Sequence, residues 1–64
     1  MTLNEKIHKL RKDKGMSLAE LAFKTDSTIE QIISFESKGV IINGYKLLQI
    51  LNALEISIEE FKNI

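Results

Sequence analysis

Apolar residues recur along the chain at spacings of three and four, and no segment alternates apolar and polar positions with period two. That periodicity selects helices over strands. Leu3, Ile7 and Leu10 form the first run; Ile29, Ile32, Ile33 and Phe35 share one arc of a later one; Leu47, Leu48, Ile50, Leu51 and Leu54 share another. Short polar signals mark where the runs begin. Thr2-Leu3-Asn4-Glu5 is a capping box, in which the threonine hydroxyl accepts the amide three residues on and Glu5 reaches back to the threonine amide. The same box returns at Ser17-Leu18-Ala19-Glu20, Thr28-Ile29-Glu30-Gln31 and Ser57-Ile58-Glu59-Glu60, and Asn43 is an N-cap of the simpler kind. Gly15, following Lys12 and Lys14, closes the first helix. The spacing predicts helices over about 3–14, 18–24, 29–37, 44–54 and 58–62, in one all-α domain spanning 1–64. Only Thr25-Asp26-Ser27 separates the second helix from the third, and two short helices joined by so brief a turn have the geometry of a helix-turn-helix.

Two charges stand where the pattern expects none. On the third helix Glu36 falls inside the arc of Ile29, Ile32, Ile33 and Phe35, where an ionised carboxylate needs a partner. On the first, Arg11 sits at the edge of the Leu3–Ile7 stripe. A structural Arg11–Glu36 salt bridge joining the two helices answers both. The alternative is an Arg11 that lays its stem over the core and points its head outward.

The 64 residues suffice for one domain, 44% hydrophobic and 28% charged, as in an ordinary globular protein. Without cysteine, the core alone must hold it. The start of the chain has no export signal, and apolar stretches such as Val40-Ile41-Ile42 are far too short to span a membrane, so the expected location is the cytoplasm. The formal net charge is zero but unevenly spread. Lys6, Lys9, Arg11, Lys12 and Lys14 make a basic end; Glu55, Glu59 and Glu60 make an acidic one. A basic end suits a phosphate backbone, though a basic amphipathic helix is more often simply a solvated face.

Ile7-His8-Lys9-Leu10-Arg11-Lys12-Asp13-Lys14-Gly15-Met16-Ser17 resembles the opening of the lambda-repressor/Cro (XRE-type) DNA-binding family. Leu21-Ala22, Ile32, Phe35-Glu36, Leu47-Leu48, Ala53-Leu54 and Ser57-Ile58-Glu59-Glu60-Phe61 continue the likeness in register over nearly the whole chain. The resemblance implies a five-helix fold with the helix-turn-helix in helices 2 and 3. It also implies a repressor-like transcriptional regulator that binds a double-stranded DNA operator, with helix 29–37 in the major groove and a homodimer on symmetric half-sites. Carried over by position, Thr28, Ile29, Glu30, Ile33, Ser34 and Ser37 face bases, while Ser17, Leu18, Lys38, Gly39 and Asn43 face the backbone. An arginine–glutamate pair between helices 1 and 3, here Arg11 and Glu36, is part of that pattern.

This chain departs from the pattern where DNA would lie. Leu18 replaces a polar side chain, often glutamine; Ile29 and Ser34 stand where longer polar or basic residues are common; Glu30 adds negative charge. No lysine or arginine occurs between Lys24 and Lys38. Three readings stand. The domain binds DNA, with Ile29 and Ile33 against thymine methyls, polar contacts from Gln31 and Ser34, and backbone amides at helix starts on phosphates. Alternatively the fold serves as a protein–protein interaction module or antagonist of a related repressor, through Leu18, Ile29, Ile33 and the Val40-Ile41-Ile42 stretch. In the third reading Ile29 and Ile33 are mostly buried and the outer face is inert.

Nothing in the chain suggests an enzyme. His8, the only histidine, lies opposite Leu3, Ile7 and Leu10 and reads as solvated. No catalytic triad can be assembled, metal ligands lack usable spacing, and no phosphate loop, cofactor or small-molecule ligand is indicated. Tyr45 reads as a half-exposed packing residue. Ile58, Phe61 and Ile64 form a row expected mostly to close the core, with Ile64, if exposed, able to seed a dimer.

Overall fold

The computed structural model describes residues 1–37 and 43–64, and the expectations for Lys38, Gly39 and Val40-Ile41-Ile42 lie outside the described residues. Among the described residues the chain is all-α, with α1 Leu3–Asp13, α2 Leu18–Lys24, α3 Ile29–Ser37, α4 Gly44–Ala53 and α5 Ile58–Lys62. Two ends fall one residue short of the sequence reading: Lys14 and Leu54 are C-caps rather than last helical residues.

The starts follow the polar signals closely. Thr2 with Glu5, and Ser57 with Glu60, form complete capping boxes. So do Thr28 and Gln31, whose side chains take each other's amides at 3.1 and 2.9 Å. The box at Ser17 is half formed. Its hydroxyl accepts the Glu20 amide at 3.0 Å, but the Glu20 carboxylate lies 3.7 Å from Lys24, one turn on. Asn43 accepts the Lys46 amide at 2.8 Å and caps α4.

The ends share a geometry that the sequence announces only once. After α1, α2 and α4 the chain passes through a left-handed residue: Gly15 at φ +66°, Asp26 at +53° and Glu55 at +59°. In each case the following amide bonds back across the turn, Met16 to the Arg11 carbonyl, Ser27 to Ala22 and Ile56 to Leu51, the bond of a Schellman motif. Only the first uses glycine. Asp26 and Glu55 hold a backbone that costs a side-chain-bearing residue about 1–2 kcal/mol.

Ile7, Leu21, Ile32, Ile50 and Leu54 are wholly buried, so α1, α2, α3 and the end of α4 converge on one core, closed from the far side by Phe61 of α5. Leu3, Met16, Leu18, Phe35, Leu47 and Ala53 pack around it. The apolar arcs are narrower than their spacing suggested. Leu48 is 46% exposed, because α4 turns Leu47, Ile50 and Leu51 inward and packs chiefly against α2. Tyr45, at 73% exposed, is a surface residue rather than a half-buried one. Of the Ile58–Phe61–Ile64 row only Phe61 is buried; a helix of five residues offers one inward position, and Phe61 takes it.

Replacing Glu55 by glycine relieves the left-handed strain and should raise stability by about 0.5–1 kcal/mol after allowing for glycine's greater unfolded-state freedom. Gly15→Ala, where no atom lies within 4 Å of the added carbon, should lower it by about 1–2 kcal/mol through backbone conformation alone. Urea midpoints of the two variants, moving in opposite directions, check both.

Candidate nucleic-acid interface

The α2–turn–α3 unit is built around Thr25. This residue is wholly buried, and its hydroxyl donates at 2.7 Å to the Leu21 carbonyl, which also accepts the Thr25 amide at 3.1 Å, so the polar group is satisfied inside the core. Its own carbonyl accepts from the Lys46 ammonium at 2.8 Å, and the same ammonium reaches the Ser27 hydroxyl at 3.0 Å. A lysine of α4 thus pins the turn between α2 and α3 and sets where α3 begins.

The far end of α3 is held from α1. Arg11 Nε donates to Glu36 Oε2 at 2.6 Å and Nη2 to Oε1 at 3.1 Å, a forked pair buried on both sides. The remaining guanidinium arm donates to the Met16 carbonyl at 2.8 Å, so the arginine also ties down the link to α2. His8 Nδ1 lies 2.7 Å from Glu36 Oε1; since an ionised carboxylate only accepts, the hydrogen sits on Nδ1. The Asn4 side-chain amide donates to the Phe35 carbonyl. Asn4, His8 and Arg11, at spacings of four and three, form one stripe of α1 that grips the last turn of α3. His8 therefore has a partner that its outward position did not suggest. Burial pushes the Glu36 carboxyl up, but hydrogen bonds from Arg11 and His8 and the charge of Arg11 pull it down further, so its pKa lies below the ordinary value.

Held at both ends, α3 turns one face to solvent. Ile29 is 42% and Ile33 40% exposed, which overturns the reading of these two as mostly buried. Thr28, Glu30 and Ser37 are exposed and Ser34 partly so. Ile29, Ile33 and Ser37 line up one turn apart, with Glu30 and Ser34 in the adjoining row. Ser37 donates its hydroxyl hydrogen to the Ile33 carbonyl at 2.6 Å, so it keeps only acceptor capacity. Leu18 packs its side chain against the core and, with His8, Arg11, Ile33, Glu36 and Ser37, lines a shallow groove between α1, the start of α2 and α3. Ser17 and Asn43 are exposed, each with its side chain engaged in capping.

Among the described residues, several of the cations around this face are already engaged. Lys9 pairs with Asp13 at 2.7 Å and Lys24 with Glu20; Lys46 is committed to the turn; Lys6 lies over the Phe61 ring, 5.1 Å from its centre, tying α1 to α5. Lys12 and Lys14 are exposed at the end of α1.

A helix-turn-helix family model matches residues 7–61, almost the whole chain. The chain belongs to the lambda-repressor-like helix-turn-helix family. No curated protein matches the sequence. Among solved structures, this helix-turn-helix domain is similar to the restriction-modification controller protein C.Esp1396I. Against the wild-type protein the TM-score is 0.87 at 28% identity, covering 94% of this chain and 78% of that one. Against a tyrosine-to-phenylalanine mutant the TM-score is 0.88, also at 28% identity, covering 94% and 80%.

Three residues that orient the helix-turn-helix were not singled out from the sequence. Lys46 carried a signal, since it lies on the buried Lys46–Ile50–Leu54 stripe of α4, where a charge needs a reason. Thr25 and Asn4 carried none, because a threonine in a turn and an asparagine in a first turn are ordinary anywhere.

Removing one member of the buried pair should be costly and removing both much less so. Arg11→Met leaves Glu36 without its main partner and should cost about 3–5 kcal/mol, whereas Arg11→Met with Glu36→Leu should recover most of the loss. Urea denaturation of the two variants decides this. A carboxyl with a lowered folded pKa binds protons less readily folded than unfolded. Glu36 therefore contributes its full stabilisation above about pH 4.3 and loses it as the pH falls through its lowered folded value. Acid titrations followed by circular dichroism should show a smaller stability loss in that window for the double variant than for the parent.

Proposed function

We propose that this chain is a sequence-specific DNA-binding transcriptional regulator of the repressor type, acting as a homodimer on a two-fold operator with α3 in the major groove. The observation that carries this reading is the outward row Ile29, Glu30, Ile33 and Ser34 on the second helix of a helix-turn-helix, clamped at one end by Lys46 and at the other by Arg11. A helix so fixed can present side chains to base edges without first being ordered. Family membership supports the same role, as does the likeness to a controller protein. In this reading Thr28, Ile29, Glu30, Ile33 and Ser34 face bases, and Ser37 offers an acceptor only. Ser17, Leu18 and Asn43 serve the backbone through the helix starts they occupy, Leu18 with its amide rather than its side chain. Ile58 and Ile64, exposed at the end of the chain, are apolar surface available for pairing two copies.

The charge distribution sets the kind of binding expected. With no lysine or arginine in residues 29–37, α3 itself neutralises no phosphates, so attraction to arbitrary DNA is weak and the salt dependence shallow. A random-sequence pool carried through selection, followed by anisotropy titration at several salt concentrations, tests this. The expected outcome is a retained palindromic site whose log K falls against log salt with a slope of about −2 to −4 per protomer. Failure to retain any duplex sinks the regulator reading.

A second reading rests on the same face: Ile29 and Ile33 are exposed on a helix without basic residues, as suits docking on another repressor-like domain. Under it, Ile29→Glu abolishes a complex with a protein partner and selection recovers no DNA.

A further inference from the structure

A protein face in the major groove can donate hydrogens, accept them, or touch methyl groups. The outward face of α3 is poor in the first capacity. Guanine presents two acceptors and is read best by a forked donor such as arginine, yet residues 29–37 contain neither arginine nor lysine. The Ser37 hydroxyl hydrogen is committed to the Ile33 carbonyl. The Gln31 side-chain oxygen is turned back to the helix start, accepting the Thr28 amide. The donors that remain, the Gln31 side-chain amide and the Thr28 and Ser34 hydroxyls, are neutral groups that do not form the charged fork with which arginine reads guanine.

What the face does present is apolar and acidic. Ile29 and Ile33 expose branched aliphatic surface one turn apart, and Glu30, beside them, has no cation paired with it among the described residues. The apolar group on a major-groove base edge is the methyl at pyrimidine C5, and the edges that satisfy a carboxylate are the exocyclic amino groups of cytosine and adenine. Four helical residues span about 6 Å, close to two base steps at about 3.4 Å each.

We infer that α3 reads DNA through two pyrimidine C5 methyl groups about two base steps apart, touched by Ile29 and Ile33, with Glu30 accepting an amino hydrogen from a neighbouring cytosine or adenine. The inference rests on the DNA-binding reading above and specifies its chemistry. Thymine and 5-methylcytosine both carry the methyl, and the experiment separates them.

Selection is run on two pools, one of ordinary bases and one with 5-methylcytosine in place of cytosine. In each selected duplex every thymine is exchanged singly for deoxyuridine, and every 5-methylcytosine for cytosine, removing one methyl while leaving the hydrogen-bonding edge intact. Two exchanges per half-site should weaken binding by about 4-fold each, the value of one buried methyl, and the others should do little. If the sensitive exchanges are thymine to deoxyuridine, thymine is the source; if 5-methylcytosine to cytosine, the methylated base is. One penalty should vanish in Ile29→Ala and the other in Ile33→Ala, with circular dichroism confirming that each variant is folded. A duplex bound equally well after all its methyls are removed overturns the inference while leaving DNA binding intact, as do penalties that persist unchanged in both alanine variants. A protein that retains no duplex in either pool overturns the DNA-binding reading itself.

Discussion

The buried carboxylate of Glu36 is the constraint on which the arrangement of the other helices depends. An ionised group taken out of water must be surrounded by donors, and this one is met by the Arg11 fork and by His8. Because those donors lie on α1, the pairing sets the angle and register of α3 against α1. Because the third arm of Arg11 takes the Met16 carbonyl, the same pairing positions the chain as it enters α2. Apolar contacts could satisfy several registers of two helices; a forked, charge-assisted bond satisfies one.

At its start, α3 depends on a second polar grip. The Lys46 ammonium bonds the Thr25 carbonyl and the Ser27 hydroxyl, so α4 holds the turn that aims the helix. A domain of 64 residues has a small core, and here the core alone does not orient the element that matters most. The outward face of α3 needs no contribution from its own side chains to stay in place, which leaves Ile29, Glu30, Ile33 and Ser34 free to differ from their counterparts in related domains.

Those differences alter how the face can work. In a domain with arginines on this helix, attraction to phosphate and recognition of bases are partly the same interaction. Here they are separate. Among the described residues Lys12 and Lys14 are exposed at the end of α1, the helix starts offer amides, and residues 29–37 of α3 carry no lysine or arginine. On the DNA-binding reading proposed above, selectivity then falls to shape and methyl contact, with little general attraction from α3 beneath it. The exposed Ile29 and Ile33 also define the competing role, since the same surface that fits a methyl fits an apolar protein partner.

The local structure was written plainly in the sequence. N-cap residues and their partners lie three apart in the chain, so their hydrogen bonds form inside a single turn whatever the rest of the fold does; hence the starts at Thr2, Ser17, Thr28, Asn43 and Ser57 agree with the structure. The Glu36–Arg11 pairing was legible because each charge interrupts an apolar stripe. What lay beyond the sequence was decided by how faces met. His8 and Asn4 sit on a polar stripe of α1 that looks solvated until α3 is laid against it. Leu48, Ile58 and Ile64 belong to apolar arcs, yet they remain exposed, with no helix among the described residues covering them. Glu55 takes a left-handed conformation that glutamate does not favour, because buried Leu54 and Ile56 on either side require the chain to turn there. Local propensity and spacing determine where each helix begins; only the tertiary structure decides which part of its surface is interior, because burial depends on a neighbour and not on the residue itself.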